Sequence, residues 1–216
     1  MSATLPEKTA QILTPLGQFY KYLDYPSRIP LKDRQVTHIK TSSMARNRAD
    51  LGKWVSKIDN IIRTRLDRKI LLHTTSYERR NHFMTQSRWA GQGMLISHGR
   101  DDLEQAVAEF KRRKAPAVLV SPSLTRGYDF PGLECTCLII GKVPFPVGQN
   151  PLMKARTRID PAYPNYVAMT TLVQEAGRGV RFVGDRCEVL IVDDDWVWFQ
   201  RDKAGGLYAP AFFRQA

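Results

Sequence analysis

The chain has 216 residues, room for one large domain with a well-buried core. Its 43% hydrophobic and 25% charged residues are ordinary for a globular protein; no apolar run approaches a membrane span, and the N-terminus lacks a signal-peptide pattern. The charge is not ordinary: 33 Lys+Arg against 21 Asp+Glu give +12, a surplus that favours an anionic partner, most often nucleic acid.

Beyond residue 35, short apolar runs alternate with helical patterns. Val36–Thr41 reads as a strand. From Ala45 to Leu66 the apolar residues Leu51, Trp54, Val55, Ile58, Ile61, Ile62 and Leu66 recur with helical period. Lys69–Thr74 reads as a buried strand, Glu78–Ser87 as a helix and Met94–Ser97 as a short strand. Asp101–Lys114 is the clearest helix. Asp101, Asp102 and Glu104 open it, Lys111 to Lys114 close it in accord with the helix dipole, and Pro116 stops it.

Ala117–Val120 and Thr136–Ile140 have the composition of interior strands. Pro144–Pro164 holds five prolines and reads as a surface excursion with a short helix around Leu152–Arg156. Ala168–Gly177 should be helix and Glu188–Val192 the last strand. The aromatic tail from Trp196 reads as packing rather than base stacking. Strands separated by helices argue for an α/β sandwich around a mainly parallel sheet.

Three cysteines are few and odd in number. Cys135 and Cys137 sit two apart inside an apolar run, without metal-site spacing, and Cys187 is distant. Buried thiols in a reducing, intracellular setting are expected, with no metal site.

In parallel α/β sheets, chemistry collects where strands end. After the first buried strand comes His73-Thr74-Thr75-Ser76-Tyr77, whose hydroxyls and following helix N-terminus suit a phosphate, although such residues also serve as plain caps. After Ala117–Val120 comes Ser121 to Gly132, S-P-S-L-T-R-G-Y-D-F-P-G. Here Gly127 permits close backbone approach, Asp129 can accept from a ribose hydroxyl, and Ser123, Thr125 and Arg126 can face phosphate. Gln174 to Arg181, Q-E-A-G-R-G-V-R, puts Gln174, Arg178 and Arg181 on one face if helical, an arrangement suited to a polyphosphate or to a solvated basic helix end.

Taken in order, these stretches resemble the second RecA-like domain of a superfamily 2 helicase of the DinG/XPD type. Ser2-Ala3-Thr4 resembles motif III, L-L-H-T-T-S-Y motif IV, T-R-G-Y-D-F-P-G with C-L-I-I-G-K-V-P-F-P motif V, and Q-E-A-G-R-G-V-R motif VI. Arg126 stands where the family has an acid, and Gly179 where it has an apolar residue or alanine. The resemblance implies a RecA-like three-layer sandwich, with 1–35 as linker and lead-in and 36–216 as the motor domain. It implies that Arg178 and Arg181 act as arginine fingers on ATP with Gln174 orienting the γ-phosphate or water, and that Gly127 and Asp129 complete the nucleotide site. Thr75, Ser76, Ser123, Thr125 and Arg126 would hold single-stranded DNA. The implied partners are that strand and an N-terminal P-loop domain, which would seat ATP and Mg2+.

No G-x-x-x-x-G-K-[ST] and no D-E-x-H box occurs, so the chain alone is expected to be inactive. Iron–sulfur cysteines belong to the family's first domain, and no cluster is expected here. Val189–Asp194 imitates a Walker B strand but reads as the last strand of the sheet. Two other classes remain: a RecA-like module that binds nucleic acid without catalysis, and a dinucleotide-binding enzyme suggested by Gly177-Arg178-Gly179. The latter needs a strand before the glycines, where this sequence reads as helix.

Overall fold

The computed structural model of the chain describes residues 7–14, 18–19, 21, 28–45, 47–124, 127–148, 150–201, 204–210 and 213. Six strands form one sheet: β1 (Val36–His38), β2 (Lys69–His73), β3 (Leu95–Ser97), β4 (Ala117–Ser121), β5 (Cys137–Ile140) and β6 (Glu188–Ile191). Their order is β1-β6-β5-β2-β4-β3, and every pairing is parallel. The helices are α1 (Glu7–Leu13), α2 (Leu51–Arg63), α3 (Tyr77–Gln86), α4 (Leu103–Arg112), α5 (Pro151–Ile159), α6 (Tyr163–Ala176) and the single turn α7 (Trp196–Phe199).

Successive strand residues point to opposite faces, so the central strands feed two cores. Leu71, Leu119, Leu138 and Ile191 meet α4, α6 and the C-terminal aromatics, while Ile70, Leu72, Val118, Val120 and Ile139 meet α2 and α3. This two-sided burial is why β2, β4 and β5 read as unbroken apolar runs. The aromatic tail packs as expected: Trp196, Phe199 and Phe213 lie in the first core, and Trp198 stacks on Phe145 at 5.6 Å.

Several boundaries differ from the sequence reading. Helix α2 starts at Leu51 rather than Ala45, because Asp50 caps it and Asp193 holds the Met44 amide at 2.9 Å outside it. Strand β1 ends at His38, three residues short of Thr41, and β6 stops at Ile191. The proline-rich excursion carries the nine-residue α5, capped by Asn150, and α6 begins five residues before Ala168. In both helices a proline occupies the first turn, where its missing N–H costs nothing.

Candidate nucleotide and strand site

Helix α6 ends at Ala176, and Gly177–Gly179 form one 3-10 turn before Val180 becomes extended. Gln174, Arg178 and Arg181 therefore do not share a helical face, which corrects the sequence expectation. The cause lies far away in sequence. A Cβ on Gly179 would sit 2.4 Å from the Cys187 sulfur and 3.1 Å from the Cys135 carbonyl, so glycine lets the chain drop against the sheet. The departure noted at Gly179 is thus a packing requirement.

The arginines converge by another route. Arg178 is buried, donates through Nη1 to the Tyr128 carbonyl at 2.7 Å, and its own carbonyl accepts from the Phe130 amide at 3.1 Å. Arg181 pairs with the Asp129 carboxylate, and both groups stay substantially exposed. Gly127, just upstream, has φ +84°, a conformation only glycine adopts cheaply. Gln174 lies exposed on α6, and its side chain makes no hydrogen bond among the described residues. Thus Asp129, Arg178 and Arg181 come together, with Gly127 two residues before Asp129 in the same loop; no bond joins Gln174 to them among the described residues. Burial draws the Arg178 pKa below the usual arginine range and Arg181 pulls the same way, while Glu175 and Asp129 oppose.

Two residues that the sequence reading passed over fix this turn. The buried Asp185 accepts from the Gly132 amide at 2.9 Å and the Arg181 amide at 2.8 Å, joining the turn after α6 to the loop before β5. Glu175 places Oε1 3.1 Å from Nδ1 of His73, the last residue of β2, with both side chains almost fully buried. No local pattern announces either pair. The signal is only that Glu175 is acidic on a helix face otherwise apolar.

At the C-terminal ends of β2 and β4, the hydroxyl residues gather. Thr75 takes φ +60°, and its hydroxyl oxygen is buried without a partner. Ser76 caps α3, its oxygen accepting from the Arg79 amide at 3.3 Å, so the plain capping role is realised. Its hydroxyl proton is still free to donate. Ser123 donates its amide to the Ser121 hydroxyl at 3.3 Å. That hydroxyl lies 2.7 Å from His98 Nε2, while His98 Nδ1 lies 2.6 Å from the Gly99 carbonyl. A carbonyl only accepts, so Nδ1 carries the proton, and in the neutral ring Nε2 accepts from Ser121. Thr125, Arg126 and Ser2-Ala3-Thr4 lie outside the described residues.

Asp193, the first acid of the Walker-B-like run, spends its carboxylate on the amides of Met44, Val143 and Asp195, and burial raises its pKa. It is a structural clamp between loops. Beside it, Lys142 and Arg79 both donate to the Met44 carbonyl, at 3.3 and 3.1 Å, adding positive charge near Ser76 that the sequence reading did not single out. The three cysteines are buried and free. No helix among the described residues is long and apolar enough to cross a membrane.

The parallel sheet and the loops at its ends define a helicase-type motor fold. The family model described as "Helicase C-terminal domain" matches residues 60–201, and the chain belongs to that family. It is 31% identical over 107 residues to the ATP-dependent helicase DinG of Mycobacterium tuberculosis, an overlap covering 46% of this chain and 16% of that protein's length. Among solved structures, S. tokodaii Xpd4 superposes with a TM-score of 0.64 at 15% identity, over 99% of this chain and 42% of that one. An XPD helicase gives 0.60 at 15% identity, over 82% and 34%. The fold is the RecA-like three-layer α/β sandwich.

Proposed function

We propose that the chain is the second motor domain of an ATP-driven DNA helicase. It would lend Arg178 and Arg181 to ATP seated, with Mg2+, by a P-loop domain. The observation that carries this reading is the convergence of Arg178, Arg181 and Asp129 on one loop although the helix between them has ended. Arg181 is the accessible member. Its exposed pair with Asp129 is worth about 0–1 kcal/mol, so the guanidinium can exchange carboxylate for phosphate at little cost. Arg178, anchored on Tyr128, has a buried Nε with no partner and keeps part of its donor fork available.

Asp129 and Gly127 complete the nucleotide edge, with Gln174 reaching the γ-phosphate or water from α6 as the domains close. Bound ATP supplies the phosphoryl group and Mg2+ neutralises its charge; the arginines add fixed positive charge where more negative charge develops. Thr75, Ser76 and Ser123, with Thr125 and Arg126, hold the backbone of a single strand. The hydroxyls and neighbouring amides position that strand without reading bases.

The experiment joins the chain to a P-loop motor domain and measures ATP turnover. The chain alone should give only background, and the joined protein should turn over. Arg181→Ala should lower turnover by about 10³–10⁵ while leaving DNA binding intact, the range for an arginine finger. A variant retaining near-normal turnover overturns the assignment.

A further inference from the structure

The edge of the sheet opposite the strand loops carries a groove of about 450 Å³ where β2, β4 and β5 begin. Six basic side chains line it, Arg68, Lys69 and the run Lys111 to Lys114, against only Asp67 and Glu134. Glu188 holds Arg68 and Glu109 holds Arg113, and the C-terminus of α4 carries about −0.5 charge, which leaves Arg112 and Lys114 as the cations free to meet an anion. The rest are not a loose solvated fringe. Lys69 is buried, donates to the Lys111 carbonyl at 2.9 Å and lies 4.8 Å over the Phe110 ring. Lys111 lies 5.4 Å over Phe130 and pairs with Glu134 at 3.0 Å. Those two rings pack edge to face beneath, 5.6 Å apart, so the floor holds its lysines in place. Arg112 and Lys114 project as exposed cations with no partner among the described residues.

We propose that this groove seats the phosphate backbone of duplex DNA. Charge complementarity selects a polyanion, and the duplex is the denser one: these point charges suit a stacked helix carrying one charge per about 1.7 Å, about twice the density of a single strand. Five-residue β2 separates the groove from Thr75 and Ser76 by roughly 13–16 Å, so strand and duplex sites do not compete for the same atoms. The inference rests on the proposed function only in taking DNA as the polyanion.

The test uses the chain itself and fluorescence anisotropy with a short duplex and a short oligothymidine across a salt series. Arg112→Glu/Lys114→Glu should weaken duplex binding about tenfold or more at low salt and flatten the log K–log salt slope by about two. The neutral variant Arg112→Gln/Lys114→Gln should give a smaller change in the same sense, and melting temperatures should show both variants folded. Lys53→Glu/Lys57→Glu on α2 makes the same charge change elsewhere and should shift duplex affinity much less. Equal losses in that control, or unchanged duplex binding in the groove variants, would overturn the groove. Equal losses for duplex and oligothymidine would overturn the choice of duplex. The strand-loop reading is judged separately, by whether Ser76→Ala/Ser123→Ala weakens oligothymidine.

Discussion

Two buried histidines flank β4 and are treated in opposite ways. His98, just after β3, has Gly99 on one ring nitrogen and Ser121 on the other. His73, closing β2, lies 3.1 Å from Glu175, yet neither of its nitrogens nor either Glu175 oxygen completes an aligned hydrogen bond, and Arg178 Nε is unpartnered nearby. The first corner is fully bonded and fixes the loop leading to Ser123. The second sets Glu175 against His73 without an aligned bond, at the root of the arginine turn. The fold therefore completes its polar bonding around His98 and leaves it incomplete around His73 and Arg178, as it does at the Thr75 hydroxyl.

Breaking the second corner should have the largest effect. Glu175→Ala removes the carboxylate that offsets the buried Arg178 charge and faces His73. Stripping one member from a buried ionic cluster costs about 3–5 kcal/mol. At 2–4 °C per kcal/mol for a chain of this size, the melting temperature should fall by roughly 6–20 °C in calorimetry. Glu175→Gln keeps the shape and should cost less. A loss under about 1 kcal/mol for the alanine variant would mean the pair contributes nothing to the native state.

The turn itself can be tested by crowding it. Gly179→Ala forces a methyl to 2.4 Å from the Cys187 sulfur and 2.7 Å from its Cβ. Overpacking of this kind costs about 1–3 kcal/mol. In a Cys187→Ala background the sulfur is gone but the Cβ remains, so the penalty should shrink without vanishing. A double-mutant cycle from denaturant melts measures the difference, and simple additivity would show that the contact does not set the turn.

Much of the fold was legible in the sequence, for physical reasons. β2, β4 and β5 are buried on both faces and so appear as continuous apolar runs, and α4 announces itself through charges matched to its dipole. The loop from Gly127 to Gly132 was legible because glycine marks positive φ there. The end of α6 was legible to within one residue, at Gly177 against Ala176, but its start at Tyr163 was not; nor was the 3-10 turn that follows, where Gly179 packs against Cys187 eight residues beyond. Asp185, Glu175–His73 and His98–Ser121 are pairings across the fold with no periodic signature. Pro151 and Pro164 did carry a usable signal, because proline opens helices as readily as it interrupts them.

The bonded corner gives the mildest test. Ser121→Ala removes the hydroxyl that donates to His98 Nε2 and accepts from the Ser123 amide. No charge is uncovered, the Gly99 bond survives, and the half-buried Ser123 amide can turn to water. The unmet cost is one buried imidazole acceptor, about 1–3 kcal/mol, with the lower half expected because the ring can shift toward solvent-bonded partners. Single-strand binding should fall with it, as Ser123 loses its anchor, while duplex binding at the far edge should not. Thermal melts and anisotropy on one protein preparation check both. If Ser121→Ala destabilised the chain as much as Glu175→Ala, the contrast between a bonded corner and an unbonded one would fail. The two histidines would then be equivalent supports of β4, and the incomplete bonding around Arg178 would carry no special weight.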